Sequence, residues 1–419
     1  MKAHKIQLLS GKTEYILPGG EASVRCRNAI YLVANTLPGE EILFLNRGKR
    51  RGAGRGELRE VLHASPHRVA APCPHAGTCG GCSLQFLHGK QHAGIKSGWI
   101  RQAFSALICS DTVWLPVSSP AVTGLRRKVR WHRGEDESGS FLGFKSRASN
   151  KLVRHHHCML LLPELNKLRE ILERNLSDIV DAVSITALAD GLHVLLETES
   201  TIQPELPHAL LDRKDIQCWW QHGECIKPLG KSSLELHDRL PFGNDMFEIQ
   251  IGPGDFVQSE SAANGKMIRQ IQNWADDPRR VVDLFAGAGN FSLPLAMQGA
   301  EVIGADIRRN SVQAATANAR KLKLDVRFEQ ADLLKDFDPE PFAGADLLIL
   351  DPPRKGAKRI CGAVNALLPQ KIIMVSCNIA TGARDGSILA SHGYRLQALR
   401  GLDLFPFSGH VETMSLWLR

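Results

Sequence analysis

Nowhere does the chain hold an uninterrupted apolar run of the roughly 18 residues that a bilayer-spanning helix needs, which excludes such a helix. The opening segment, MKAHKIQLLS, has too short an apolar stretch for a secretory signal, and a cytoplasmic protein is expected. Without a signal, the ten cysteines do not read as a disulfide framework. In a reducing compartment, clustered cysteines bind metal or act in catalysis.

At 419 residues the chain is too long for one typical domain. Hydrophobic content of 43% with 23% charged residues is ordinary for a globular protein. The net charge of +8 is uneven: residues 1–70 carry twelve Lys/Arg against six Asp/Glu. Arg47, Lys49, Arg50, Arg51, Arg55 and Arg59 are threaded through glycines. This stretch reads either as a phosphate-backbone contact or as a solvated basic loop.

Residues 1–62 read as short strands at Lys5–Leu9, Ala22–Arg25, Ile30–Ala34 and Glu41–Asn46, with Pro-Gly turns between them. Such spacing predicts a small OB-like barrel. Next comes Cys73-Pro-His-Ala-Gly-Thr-Cys79-Gly-Gly-Cys82, with Cys158 as the most credible fourth ligand. This thiolate spacing suits an iron–sulfur cluster better than a zinc ion, which remains the alternative. A fourth cysteine that closes the coordination points to a structural cluster, not a radical-forming one. Residues 63–245 read as an α+β domain, whose helix carries Leu165, Leu168, Ile171, Leu172, Ile179 and Val183 on one face. A helical segment within 91–110 is expected to pack on the catalytic domain. Arg126-Arg127-Lys128-Val129-Arg130 is a second basic cluster, either an RNA contact or plain surface.

From residue 246 onward, apolar runs end repeatedly in glycine or acidic residues and lead into helical segments, which predicts a Rossmann-like α/β domain over 246–419. Val281–Leu284 leads into Phe285-Ala-Gly287-Ala-Gly289-Asn290, a loop that lets a ligand approach a helix N-terminus. The third glycine of the dinucleotide fingerprint is missing after Gly287 and Gly289, and this argues against NAD. Asp306 ends the next strand, where a carboxylate can accept from ribose hydroxyls. Asp332 follows a third strand and could read an adenine amino group, and Asp351 opens the tetrad Asp-Pro-Pro-Arg after a fourth. Three acids in order after three strands point to a nucleoside ligand. The run Ile372–Val375 reads as a buried parallel strand with Cys377 just beyond its end, where open α/β sheets bind ligands. A thiol there is either a nucleophile or an inert packed cysteine. Cys26, Cys109, Cys218, Cys225 and Cys361 have no partners by spacing and read as structural.

Taken together, LPGE, CPHAGTCGGCSLQ, GFKSRAS, GDFVQSE, DLFAGAGN, LLILDPPRKGA, VSCNIATGARD and LDLFPFSGHVET resemble the motifs of RNA 5-methyluridine methyltransferases. In particular, they are similar to the bacterial 23S rRNA (uracil-5-)-methyltransferases with an N-terminal TRAM barrel and an iron–sulfur cluster. The resemblance covers the whole chain. It implies a multidomain fold: TRAM/OB-like barrel, central α+β domain with the cluster, and C-terminal methyltransferase domain. It implies S-adenosyl-L-methionine (SAM) as methyl donor and a [4Fe-4S] cluster on Cys73, Cys79, Cys82 and Cys158. Gln258, Phe285, Asn290, Asp306, Asp332 and Asp351 match positions at the methyl donor or the pocket beside it. Cys377 matches the nucleophile and Glu412 the general base. Three positions depart from the family pattern: Glu260 replaces an asparagine, Ile379 a proline, and Ser408 a threonine.

C5 of uracil is too weak a nucleophile to take a methyl group directly, so a thiolate must first add at C6 and a base must later remove the C5 proton. RNA is the expected partner, 23S rRNA before tRNA, with the protein acting as a monomer and without a membrane. The alternatives are a tRNA uracil-5-methyltransferase, an amino-group methyltransferase acting on adenine or guanine, and a non-catalytic RNA-binding assembly factor.

Overall fold

Alternating apolar and polar residues in the first part of the chain build five strands that close on themselves. In the computed structural model, which describes residues 7–50, 52–119, 123–233 and 235–419, the barrel order is Leu8–Ile16, Glu21–Cys26, Ala29–Ala34, Ala53–His63 and Glu41–Arg50. Val24, Val33, Ile42 and Phe44 fill its interior. Lys5 and Arg51, assigned from the sequence to a strand and to the basic stretch, lie outside the described residues. The glycine-threaded basic stretch is no loop; it forms the paired strands Glu41–Arg50 and Ala53–His63. A Cβ on Gly56 would meet Phe44 and Val33 at 2.6 Å, so this glycine makes room for the barrel core. Arg47 and Arg59 pair with Glu57, and Arg55 pairs with Glu21, which neutralises part of the positive surplus within the barrel.

The central sheet has seven strands in the order Cys225–Leu229, Ile216–His222, Gly191–Glu197, Ala182–Leu188, Lys128–Asp136, Gly139–Lys145 and Leu152–Arg154. Helix Pro163–Asn175 covers it, burying Leu165, Leu168 and Leu172 with Trp131, Val183 and Val194. The helix ends at Asn175 because Leu176 turns extended (φ −79°, ψ 133°), so Ile179 and Val183 are not on its face. Val183 belongs to strand Ala182–Leu188, where residues alternate across the sheet with a period of two.

Eight strands form the C-terminal sheet: Val326–Gln330, Glu301–Asp306, Arg280–Leu284, Leu347–Leu350, Lys371–Ser376, Glu412–Leu418, Arg395–Leu402 and Val113–Ser118. The first five run parallel, and each pair from Lys371–Ser376 through Arg395–Leu402 is antiparallel. Leu347–Leu350 is buried at every position, as expected for a strand covered on both faces. The eighth strand comes from far upstream: Val113–Ser118 pairs in parallel with Arg395–Leu402, and helix His92–Ala103 lays Trp99 and Ile100 into the same core. Segment 92–118 thus joins this sheet although it precedes the central one in sequence. The barrel docks on the same core through Ile16, Ala22 and Leu37, and Trp99 Nε1 donates to the Ile16 carbonyl at 2.6 Å. Among the described residues, no helix is long and apolar enough to cross a membrane.

Candidate active site

The parallel strands end on one cavity of about 470 Å³. Its walls include Gln258, Phe285, Asn290, Asp306, Asp332 and Asp351, and Cys377 and Glu412 stand among them. Strand register explains the last pair. Lys371 pairs with Leu418, and the antiparallel pairing continues step by step to Ser376 and Thr413. One further step sets Cys377 opposite Glu412. Adjacent strand ends therefore bring a thiol and a carboxyl side by side, although they lie far apart in sequence.

The glycine loop and Asp306 hold each other. Gly287 N–H donates to one carboxylate oxygen of Asp306 at 3.0 Å, and Arg308 N–H donates to the other at 2.9 Å. Each oxygen keeps a further lone pair for a ligand. Phe285, at the start of the loop, sits at φ +73°, a conformation rare for a residue with a side chain and typical of strained functional sites. Asp332 accepts from Leu334 and Lys335 amides, both at 3.2 Å, which fixes the turn beside the cavity. The Gln258 carbonyl accepts from Arg127 Nε at 2.9 Å, so the central domain anchors that segment.

Electrostatics at the strand ends are dominated by burial. The Cys377 thiol is pushed up to about 11, first by burial and then by the carboxyls of Glu412 and Asp351, while Arg354 opposes the shift. Burial and the neighbouring Asp351 push Glu412 up to about 8, again against Arg354. Asp351 keeps some surface open to the cavity, yet burial of its carboxyl, with Asp283 nearby, raises it to about 7. Three weak acids thus share a site with one guanidinium, Arg354, which favours the charged forms of Cys377 and Glu412. In the free protein these shifts keep the Cys377 thiol protonated at neutral pH, so forming the thiolate there calls for added positive charge beside it.

Three residues that shape the site carry no local sequence signal for it. Asn264, on helix Ser261–Ala275, exchanges side-chain hydrogen bonds with Asn290. Arg354 was visible only as the fourth residue of the Asp-Pro-Pro-Arg tetrad. Arg127, expected in an exposed basic cluster, is buried and paired with Asp238 at 2.7 Å, and Arg130 is paired with Glu197. Two of the cluster's four cations are therefore paired with carboxylates.

The three departures from the family pattern have local explanations. Glu260 is buried at the N-terminal boundary of helix Ser261–Ala275 and does not line the main cavity. Burial pushes its carboxyl up. Ile379 begins a helix that Asn378 already caps, its side-chain oxygen accepting from Ala380 and Thr381 amides at 3.1 and 3.4 Å. Ser408 keeps the hydroxyl, which donates to the Phe405 carbonyl at 2.8 Å.

A second cavity, of about 210 Å³, is lined by Cys73, Cys79, Cys82 and Cys158, all free thiols, together with Arg126 and His155. Burial pushes Cys79 and Cys158 up and takes Cys82 to about 11. Among the described residues, no three His, Cys, Asp or Glu side chains close on a point as a single metal ion requires. The four thiols line this cavity without converging on one point. Of the remaining cysteines, Cys26, Cys218 and Cys361 are buried as expected of packing residues, whereas Cys109 and Cys225 are exposed.

A methyltransferase domain model matches residues 275–387. The chain is 32% identical over 406 residues to the 23S rRNA (uracil(1939)-C(5))-methyltransferase RlmD of Marinomonas sp. (strain MWYL1), covering 94% of this chain and 90% of that protein. It is 30% identical over 427 residues to the protein of the same name from Cronobacter sakazakii (strain ATCC BAA-894), covering 99% and 96% of the two chains. Among solved structures, the Pyrococcus abyssi tRNA (uracil-54, C5)-methyltransferase in complex with S-adenosyl-L-homocysteine superposes with a TM-score of 0.75 and 21% identity, covering 98% of this chain and 99% of that one. At that identity the likeness establishes the fold alone.

Proposed function

The chain belongs to the RlmD family of 23S rRNA (uracil-C5)-methyltransferases, and from that premise we propose that it methylates C5 of a uridine in 23S rRNA through a covalent adduct on Cys377. The observation that carries the mechanism is the register that sets Cys377 opposite Glu412 in the lining of the glycine-loop cavity. The Cys377 thiolate adds to C6, which moves the ring's electrons toward C5 and O4. C5 then forms its bond to the methyl carbon as the methyl–sulfur bond of the donor breaks. Glu412 removes the C5 proton, the C6–sulfur bond breaks, and the ring regains its double bond with the thiolate released.

SAM supplies the electrophilic methyl group and, as a sulfonium, a positive charge that favours the thiolate. Gln258, Phe285, Asn290, Asp306 and Asp332 are assigned to hold it, and Asp351 to face the uracil. Arg354 shares the task of favouring the thiolate, because it opposes the upward shift of Cys377. A base inside a stacked helix cannot reach this pocket, so the uridine must be single-stranded or flipped out. The N-terminal barrel, with residual positive charge, is assigned to the RNA backbone. Cys73, Cys79, Cys82 and Cys158 would hold a [4Fe-4S] cluster whose role is to order the segment around it. Zinc without iron or acid-labile sulfide in protein purified under anaerobic conditions would reject that cluster.

The decisive experiment uses RNA carrying 5-fluorouridine. Fluorine at C5 cannot leave as a proton does, so a stable protein–RNA adduct is expected, with mass spectrometry placing the bond on Cys377. Absence of an adduct under conditions that support methylation of unmodified RNA would reject the covalent mechanism. Mapping 5-methyluridine in rRNA and tRNA of a deletion strain identifies the substrate, starting with position 1939 of 23S rRNA, the site named for the relatives.

A further inference from the structure

The loop that delivers Glu412 runs from Asp403 to Val411, and three separate parts of the molecule hold it. From helix His92–Ala103, Lys96 Nζ donates to Asp403 at 2.6 Å and to the Phe405 carbonyl at 3.1 Å, with both charged groups buried. From the barrel, Gly19 N–H donates to the Gly409 carbonyl at 3.2 Å. From the cysteine segment, the Ser83 and Leu84 amides both donate to the Phe407 carbonyl at 2.8 Å, and Gly409 N–H donates to Ser83 Oγ at 3.0 Å. The approach is close: a Cβ on Gly409 would lie 2.4–2.6 Å from the Gly19 backbone. Phe407 itself sits at φ +60°, a conformation that persists only where its surroundings fix it.

Ser83 has a special place among these holds. It directly follows Cys82 in the chain, and it grips the loop twice, with its amide at Phe407 and its hydroxyl at Gly409. Gly409 lies three residues before Glu412, and the strand begins at Glu412 itself. The last hydrogen bonds from other segments before the carboxyl are therefore those with the Ser83 hydroxyl, on one side, and the barrel's Gly19 on the other, while Val411 packs into the core.

We infer that Ser83 is a positioning residue for Glu412, and that through it the order of the cysteine segment sets where the carboxyl stands against the substrate. This rests on the reading of Glu412 as the base. Loss of the hydroxyl leaves Cys377 and the methyl-donor cavity intact, so addition at C6 and methyl transfer proceed, while removal of the C5 proton slows. The methylated adduct should then accumulate.

The test compares Ser83→Ala, Ser83→Thr, Gly409→Ala and Glu412→Gln in the full-length protein, with methyl-labelled SAM and rRNA from a strain lacking the enzyme. The quantity followed is the labelled protein–RNA adduct that survives denaturation, alongside hydrogen exchange of the peptide spanning 403–411. For Ser83→Ala, adduct release slows roughly five- to tenfold, the worth of one hydrogen bond, with KM for RNA and SAM within about twofold of the parent. Exchange in 403–411 rises, Gly409→Ala behaves likewise, and Ser83→Thr restores release. Adduct release at the parental rate in Ser83→Ala, while Glu412→Gln accumulates adduct, overturns the positioning role and leaves the base assignment standing. Failure of Glu412→Gln to accumulate adduct overturns the base assignment itself, and the inference with it. A Ser83→Ala protein that loses all steps in proportion, with unchanged exchange in 403–411, also overturns it.

Discussion

Asn264 and Asn290 exchange two side-chain hydrogen bonds, 2.8 and 2.9 Å long, across the wall of the main cavity. Asn290 closes the glycine loop, and Asn264 comes from the helix that precedes the first strand of the parallel sheet. The pair locks the loop against that helix. Net hydrogen bonds are worth about 1 kcal/mol each, and some of that is lost from the ligand-ready loop when its partner is removed. Asn264→Ala should therefore weaken S-adenosyl-L-homocysteine binding roughly tenfold by calorimetry. Affinity within twofold of the parent would show that the pair does not organise the site.

Asn264 also marks the boundary of what was legible. Cys377, Asp306 and Asp351 could be read because each follows an apolar run that can only be a buried strand, and strand ends are where such sheets bind ligands. Asn264 lies inside a helix, where a polar residue pointing inward looks the same in sequence as one pointing to solvent. The pairing of Val113–Ser118 with Arg395–Leu402 was equally silent, because a parallel contact between distant segments leaves no periodic trace. Buried Arg127 was misplaced for a related reason: five residues rich in Lys and Arg read as a surface until Asp238 arrives from strand Leu236–Phe242, far along the chain. The basic glycine stretch misled in the opposite direction, since glycine serves close packing as readily as it serves turns.

The ionisation of Cys377 gives a direct test of the cavity's electrostatics. Its thiol is raised to about 11 by burial and by two carboxyls, with Arg354 opposing. The thiolate fraction in the free protein therefore grows through the alkaline range, and alkylation at Cys377 should rise with it. Asp351→Asn removes a like charge and should move the alkylation profile to lower pH; Arg354→Gln should move it to higher pH. A shift of roughly half to one pH unit is expected for either. Peptide mass spectrometry must follow Cys377 itself, because Cys109 and Cys225 are exposed and also react. Identical profiles in all three proteins would mean that the charges do not sense one another.

Asp283 should make the free protein less stable as pH rises. It is fully buried beneath the glycine loop; one oxygen accepts from Ser292, and the other has no partner among the described residues. Burial pushes it up to about 7 from an ordinary value of 3.8. A carboxyl raised on folding contributes stability at low pH that is lost as pH climbs from its ordinary value through its folded one. Between pH 5 and pH 8 the parent should thus lose stability that Asp283→Asn retains, on the order of 1–3 kcal/mol. Denaturation midpoints at the two pH values measure it. A variant whose stability falls in parallel with the parent would rule out Asp283 as the source.

The ion pair of Arg127 with Asp238 carries a different energetic signature. Both side chains are buried, and Arg127 also reaches the Gln258 carbonyl through Nε while its amide donates to Ser259 at 3.0 Å. Removing one partner strands the other in a poor dielectric, and breaking a buried pair in this way costs about 3–5 kcal/mol. Arg127→Met and Asp238→Leu should each be strongly destabilised in chemical denaturation. The double variant should recover much of that loss, because no unpaired charge remains, which gives a coupling energy well above the few tenths expected for independent sites. Ligand affinity should divide the two effects. Every protein lacking Arg127 also lacks the anchor on the Gln258 carbonyl, so the double variant should regain stability without regaining affinity for S-adenosyl-L-homocysteine. If affinity returned together with stability, Arg127 would be holding the domain together and contributing nothing to the segment that lines the cavity.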